Sequence, residues 1–451
     1  MNSQLALSIA TCLLVILAWY LWQNWGRAHL IAAGMVGIVA GGILFAYPIL
    51  GASLAAFLMI SNLTEFIPGA VSPLLLLTLG MIIVKKLLAG DAAWTVTPFL
   101  KWGLLFVVVH LLSTLWAGSY RFLEWSIFYR VVLIAVILSE VVKTPRDFLI
   151  VIIGAQAGAI LTGILTVQGA AEFYLTGAAD ELAGSVGAIE SSRFFGIWFE
   201  PNTMALSQVP VIGLSLVLLR TKLNFWVRLL SFAAVGAGLI TVMLSLSRGA
   251  ALCTLVMLLA IALADRYRYQ IISGVVLLAI LVISVLPVDI IGRMTSLTKP
   301  GADSSINQRS ELLLGGIEMI QESFPFGVGP GNYRLYSMDY ASKLAGGMIS
   351  HNAFIDAFAE AGALGIFLYL GAIFMLYKTL KWRGRKLIPD NLGENLNVGF
   401  GAVLIGLTLA MAFLSSAEYP IFWMFYAMTA LLPLVFRDSF GDQATQPVLA
   451  K

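Results

Sequence analysis

The stretch GGMISHNAFIDAFAEAGALG, residues 346–365, places His351, one of only three histidines, at the start of a long apolar segment. An imidazole is the side chain best matched to proton transfer near neutral pH. Arg193, in SSRFFGIWFEPN, is the single base in a stretch that also carries Glu172, Asp180, Glu181, Glu190 and Glu200. A second polar stretch holds Arg293, Lys299, Arg309, Arg334 and Lys343, contains SFPFGVGPGNY, and ends at His351 and Asn352. Each feature also has a plainly structural reading. Ser350, His351 and Asn352 are all residues that could end a helix; Arg193 could pair with Glu190 or Glu200; GVGPG could be only a turn.

The elements that must position these residues are membrane helices. The chain has 451 residues, 60% hydrophobic and 11% charged, too apolar for a soluble core with its surface. Runs long enough to cross a bilayer recur from Leu5 to Phe436, which predicts an all-α, polytopic helical bundle of about 12–14 spans. The first run, residues 5–22, lacks the basic start and cleavage site of a secretory signal. The run at 50–60 is short and follows Pro48, as half of a kinked helix or a re-entrant piece would. Cys12 and Cys253 lie inside apolar runs and form no ligand cluster.

Lys and Arg beside the spans set the orientation, because basic residues are retained on the cytoplasmic side. The groups at Lys85, Lys86 and Lys101, at Lys143 and Arg146, at Arg220, Lys222 and Arg228, at Arg266 and Arg268, and in YKTLKWRGRK all fall inside. The predicted organisation is N-terminal transmembrane helices at 1–167, a first periplasmic loop at 168–202, and central transmembrane helices at 203–287. A large periplasmic loop at 288–352, C-terminal transmembrane helices at 353–436 and a cytoplasmic tail at 437–451 complete it. Within the large loop, NQRSELLLGGIEMIQES reads as an amphipathic helix lying on the membrane surface.

Charges placed within helices call for the same weighing. Glu124 and Arg130 sit near the outer end of one run, as a functional pair, as partners of each other, or with side chains reaching outward. Asn352, Asp356 and Glu360 share one helix face. That face lines a polar cavity or forms a packing surface held by hydrogen bonds.

SRFFGIWFEPNTMA at 192–205, LSLSRGAAL at 244–252, FPFGVGPGNY at 324–333 and SHNAFIDAFAEAGALG at 350–365 occur in an order and spacing that resembles one family. It is the O-antigen ligase and Wzy polymerase superfamily, multi-spanning glycosyltransferases of the GT-C type, and the resemblance extends over roughly residues 192–436. It implies transfer of a glycan from an undecaprenyl diphosphate donor to an acceptor hydroxyl, on lipid A core or on a lipid-linked glycan, at the periplasmic face of the bacterial inner membrane. By motif position it implies His351, Arg193 and Arg309 as residues needed for activity. Arg248, in SRG, is expected to orient the site or brace the helices, and Asn202 and Asn352 join the expected substrate-binding set. No cofactor, metal or nucleic acid is implied.

Elementary chemistry agrees with that implication. A departing diphosphate develops negative charge that a cation must meet. No Asp-x-Asp pair occurs to hold a metal, and guanidinium groups fork onto phosphate oxygens. Arg193 and Arg309 are therefore the expected diphosphate clamps. His351 is the expected base for the acceptor hydroxyl, in a displacement that inverts the anomeric centre, or else a binding residue. A lipid-linked donor needs no nucleotide fold, and no Gly-rich phosphate loop is present. The competing class, a transporter or flippase, calls for repeated halves and broken helices at the midplane, and no internal repeat is evident. Ligase and polymerase share one donor; the length of the second outer loop, with room for a bulky lipid-anchored acceptor, favours ligase.

Overall fold

Pro48 stands between two helices that meet at 111°, α1 (Val39–Ala46) and α2 (Ile49–Ser61). A residue with no backbone N–H and a fixed φ cannot continue a helix, so the apolar run breaks there, as its composition predicted. The computed structural model describes residues 39–63, 71–115, 122–175, 200–265, 268–269, 273, 304–341, 347–380, 387–388, 391–415, 417 and 419–437. The run predicted at 5–22, all but residue 273 of that at 271–286, the start of that at 30–47, and the tail beyond Arg437 lie outside them.

The remaining helices are α3 (Val71–Ala89), α4 (Pro98–Leu112), α5 (Phe122–Val141), α6 (Pro145–Leu175), α7 (Pro201–Leu219), α8 (Phe225–Leu244) and α9 (Arg248–Ala264). They continue with α10 (Ser304–Ser323), α11 (Asn332–Tyr340), α12 (Ala353–Thr379), α13 (Leu392–Ala410) and α14 (Pro420–Val435). Among the described residues there is no strand, and seven helices are long and apolar enough to cross a membrane. The chain is a polytopic helical membrane protein. α6 continues to Leu175, two turns past the predicted start of the first outer loop.

Helix starts follow ordinary capping rules. Thr97 accepts from Leu100 N at 3.1 Å with Pro98 behind it, and Glu200 caps α7 ahead of Pro201. The spans are apolar on all sides, as buried or lipid-facing helices are. α7, α13 and α14 are largely enclosed and form the centre around which α6, α9 and α12 pack. Small residues bring backbones together at these seams. At Gly154 of α6 a Cβ would lie 2.2 Å from the Ser53 carbonyl of α2.

Charge sorts to the two ends of the bundle. At one end, Lys86 pairs with Glu140 at 3.0 Å, Arg220 with Asp265 at 2.9 Å, and Asn395 donates to Thr221 at 3.0 Å. Phe148, near the start of α6, joins these helices by packing against Phe400 and Phe436. Of the predicted inner clusters, Lys86, Lys143 and Arg220 therefore share one end, while the α12 start, with His351 before it, lies at the other. Arg130 donates from Nε to Ser72 Oγ at 3.0 Å, tying α5 to α3.

Candidate functional site

His351 sits just ahead of α12 in the left-handed region, at φ 55°. Such backbone is uncommon for a non-glycine residue and costs on the order of 1–3 kcal/mol, so neighbours must hold it. The His351 N–H donates to Ser415 Oγ at 3.0 Å, and Ala353 N–H donates to the Met411 carbonyl at 2.8 Å. The turn that ends α13 thereby clamps the turn that begins α12. Asp356 joins the clamp, accepting from the hydroxyls of Ser350 and Ser415 and from the Ser350 N–H.

The helix cap is Asn352, not His351. Asn352 Oδ1 accepts from Phe354 N at 3.0 Å and Ile355 N at 3.3 Å. Capping thus explains Asn352, and it frees the imidazole of that duty. The His351 ring is half-buried, and its Nδ1 is closed to solvent with no hydrogen-bond partner. Burial first, and then the Arg309 guanidinium, hold the imidazole below its usual range; the Glu200 carboxylate opposes them.

Two other parts of the chain therefore come close enough to His351, before α12, for their charge to reach it: Glu200 before α7 and Arg309 in the first half of α10. Glu200 also accepts from Asn202, through backbone N–H at 3.0 Å and through Nδ2, and from the Thr203 N–H and hydroxyl at 2.6 Å each. Asn202 is thus bound to the cap of its own helix. Arg248 opens α9 behind the Ser247 cap. Its neighbour Gly249 lies against Phe413, where a Cβ would meet the ring at 3.2 Å, so Arg248 reaches the same end through the 411–415 turn that holds His351. Arg193 lies outside the described residues.

α10 does not lie apart on a surface. Its stripe Leu312, Gly315, Gly316, Met319 and Ile320 is buried at helical spacing, against α11 and the first turns of α12. Leu312, Met319, Ile320, Tyr333 and Ala359 form a small second core, and this packing fixes where Arg309 stands. The amphipathic pattern gave the right helix and the wrong partner: its apolar stripe faces protein.

α12 is broken at Gly362, with φ 69° and ψ −166°. Two carbonyls released at the break are taken by the Gly/Pro turn: Val328 N–H donates to Ala359 O at 2.8 Å and Gly329 N–H to Glu360 O at 3.0 Å. The buried Glu360 side chain accepts from Tyr333 N–H at 3.2 Å and meets His110 Nε2 of α4 at 3.1 Å. Asn352, Asp356 and Glu360 are thus spent on capping, clamping and packing, the bonded-surface alternative for that face. His110, Ser415 and Met411 went unnoticed in sequence. Only His110 carried a signal, an ionisable residue inside an apolar run. Glu124's side chain lies outside the described residues. Among the described residues no group of three or more His, Cys, Asp or Glu is arranged to hold a metal ion.

The fold is that of a multi-pass membrane protein, with His351 at one end of the bundle and close enough to Arg309 and Glu200 to feel their charge. Residues 232–370, from α8 to the middle of α12, match the family described as O-antigen ligase. Over those residues the chain is similar to the O-antigen ligase/Wzy superfamily, a likeness that supports glycosyl transfer of ligase or polymerase type as its general function. The matched stretch contains Arg248, Arg309 and His351, but not Asn202. No curated protein and no solved structure matches the chain.

Proposed function

We propose that the protein transfers a glycan from undecaprenyl diphosphate to a hydroxyl of lipid A core at the periplasmic face of the inner membrane. The observation that carries this reading is the approach of Arg309 to His351, which couples the charge of one to the protonation of the other. A cation beside a base kept neutral is what the reaction needs. The acceptor O–H gives its proton to the imidazole while its oxygen attacks the anomeric carbon, and the bond from that carbon to the diphosphate oxygen breaks, its electron pair leaving with the diphosphate. Arg309, with Arg193, meets the charge that develops there. With Nδ1 buried, Nε2 is the nitrogen presented to the acceptor, and inversion follows from in-line attack.

Arg248 braces the turn behind His351 in this reading. Asn202 acts through Glu200, whose charge reaches His351, and Asn352 presents the backbone on which His351 stands. Lipopolysaccharide from a deletion strain tests the assignment. Bare core with polymer left on its carrier is expected; core bearing a single repeat would make the protein a polymerase, and an unchanged pattern with lost exopolysaccharide would move its product elsewhere. With purified protein, His351→Ala is expected to abolish transfer while donor binding persists. Loss of donor affinity alone would remove His351 as the base.

A further inference from the structure

The turn between α10 and α11 travels far along α12. Arg309 acts on His351; further down, Gly316 lies where a Cβ would meet Ile355 at 2.6 Å; further still, the Pro325 carbonyl accepts from Ala363 N–H at 2.9 Å. α11 then climbs back, with Tyr340 beside Gly315 and the Met348 N–H on Ser337 Oγ at 2.9 Å. α10, the turn and α11 form a helical hairpin that points inward alongside the outer third of α12.

Depth follows from counting. Lys378 marks the far end of α12. From it, the roughly 30 Å of a hydrocarbon layer takes about 20 residues at about 1.5 Å each, which ends near Phe358. Ala363, and the turn bonded to it, fall inside that limit.

The turn is also built for a medium without water, where backbone polar groups must find partners within the protein. Phe326 and Gly327 N–H both reach Ser323 O at 3.0 Å, Val328 and Gly329 N–H take the carbonyls of the α12 break, and Asn332 N–H reaches Gly329 O at 3.3 Å. Pro325 and Pro330 have no N–H to satisfy. Even so, Phe324 and Phe326 expose 62% and 59% of their surface. The turn is bonded to α12 at Ala363, next to Leu364; Leu364, Phe367, Leu370 and Phe374 are themselves 55%, 60%, 46% and 62% exposed. Elsewhere on the hairpin, the Tyr340 hydroxyl donates to Glu322 at 2.5 Å, so polar side chains and apolar rings are separated.

We propose that the 324–326 turn is a re-entrant wedge whose two rings rest against the acyl chains of bilayer phospholipids, continuing the lipid-facing stripe of α12. The wedge fixes the hairpin, and with it Arg309, to the membrane plane.

The test is photocrosslinking of the full chain in its native membrane, with p-benzoylphenylalanine in place of Phe324, Phe326, Leu364 or Asp339, one at a time, and adducts identified by mass. Positions 324 and 326 are expected to take phospholipid in a yield comparable with 364, and 339 to take none. Absence of lipid at 324 and 326 while 364 is labelled overturns the wedge. So does an adduct to another protein, to another part of this chain, or to an isoprenoid lipid. The outcome does not depend on glycan transfer, so it stands or falls apart from the assigned reaction.

Discussion

Glu360 Oε2 lies 3.1 Å from His110 Nε2 across the seam between α12 and α4, while Glu360 Oε1 takes the Tyr333 N–H from the hairpin. One buried carboxylate thus joins two spans and the returning loop, beside the break that lets the loop in. Leaving a buried polar group without its hydrogen-bond partner costs about 1–3 kcal/mol. Glu360→Ala is therefore expected to lower the melting temperature of the purified protein well beyond Glu360→Gln, which keeps a hydrogen-bonding oxygen. Equal melting of Glu360→Ala and the parent would show that the contact carries no stability.

Gly362 is the second hinge of that arrangement. Its backbone is open to glycine alone, and a Cβ would stand 2.1 Å from the Pro325 carbonyl. Gly362→Ala is expected to abolish accumulation of folded protein. Gly169→Ala, in α6 with open space around it, serves as the control and should leave expression unchanged or gain up to about 1 kcal/mol from helix propensity. Equal folded yields for the two variants would contradict the strain assigned to the break.

The pH dependence of transfer reports on His351. Its folded pKa lies below the ordinary histidine value of 6.5, with burial the largest cause and Arg309 the next. A lowered histidine favours the neutral form, so the base stays available as pH falls through 6.5 and is lost only below it. Folded-state stability has the same sign: it is complete above 6.5 and declines as pH falls, because the unfolded chain then binds the extra proton. Arg309→Ala removes a cation and should move the acid limb of the rate profile up. Glu200→Gln removes the opposing carboxylate and should move it down. Measured profiles that shift the other way, or stay fixed in both variants, would separate Arg309 and Glu200 from the imidazole.

Ser415 holds His351 in its left-handed backbone. Ser415→Ala leaves that N–H without its partner and loosens Asp356, an unmet polar group costing about 1–3 kcal/mol. The expected result is a lower maximal rate with donor affinity retained, since no donor-binding group is touched. A variant with full rate would show that the clamp is not needed to present the imidazole.

Much of this molecule was legible in its sequence. Apolar length predicted spanning helices, and among the described residues seven are long and apolar enough to span. Pro48 predicted a bend, and the helices around it meet at 111°. The segment NQRSELLLGGIEMIQES predicted an amphipathic helix, and α10 formed over it, because spacing at three and four residues depends only on local geometry.

Tertiary structure decided what spacing cannot carry. Periodicity gives an apolar face but not its partner, so only the fold could turn α10 against α12 rather than flat against lipid. A shared face for Asn352, Asp356 and Glu360 followed from helix geometry, whereas their separate duties depended on Ser415, His110 and Tyr333, between 27 and 250 positions away in the case of Glu360. The identity of His351 came from the chain. Its backbone strain, its buried Nδ1 and its response to Arg309 came from contacts between segments that no local rule connects, because burial and charge act through space rather than along the sequence.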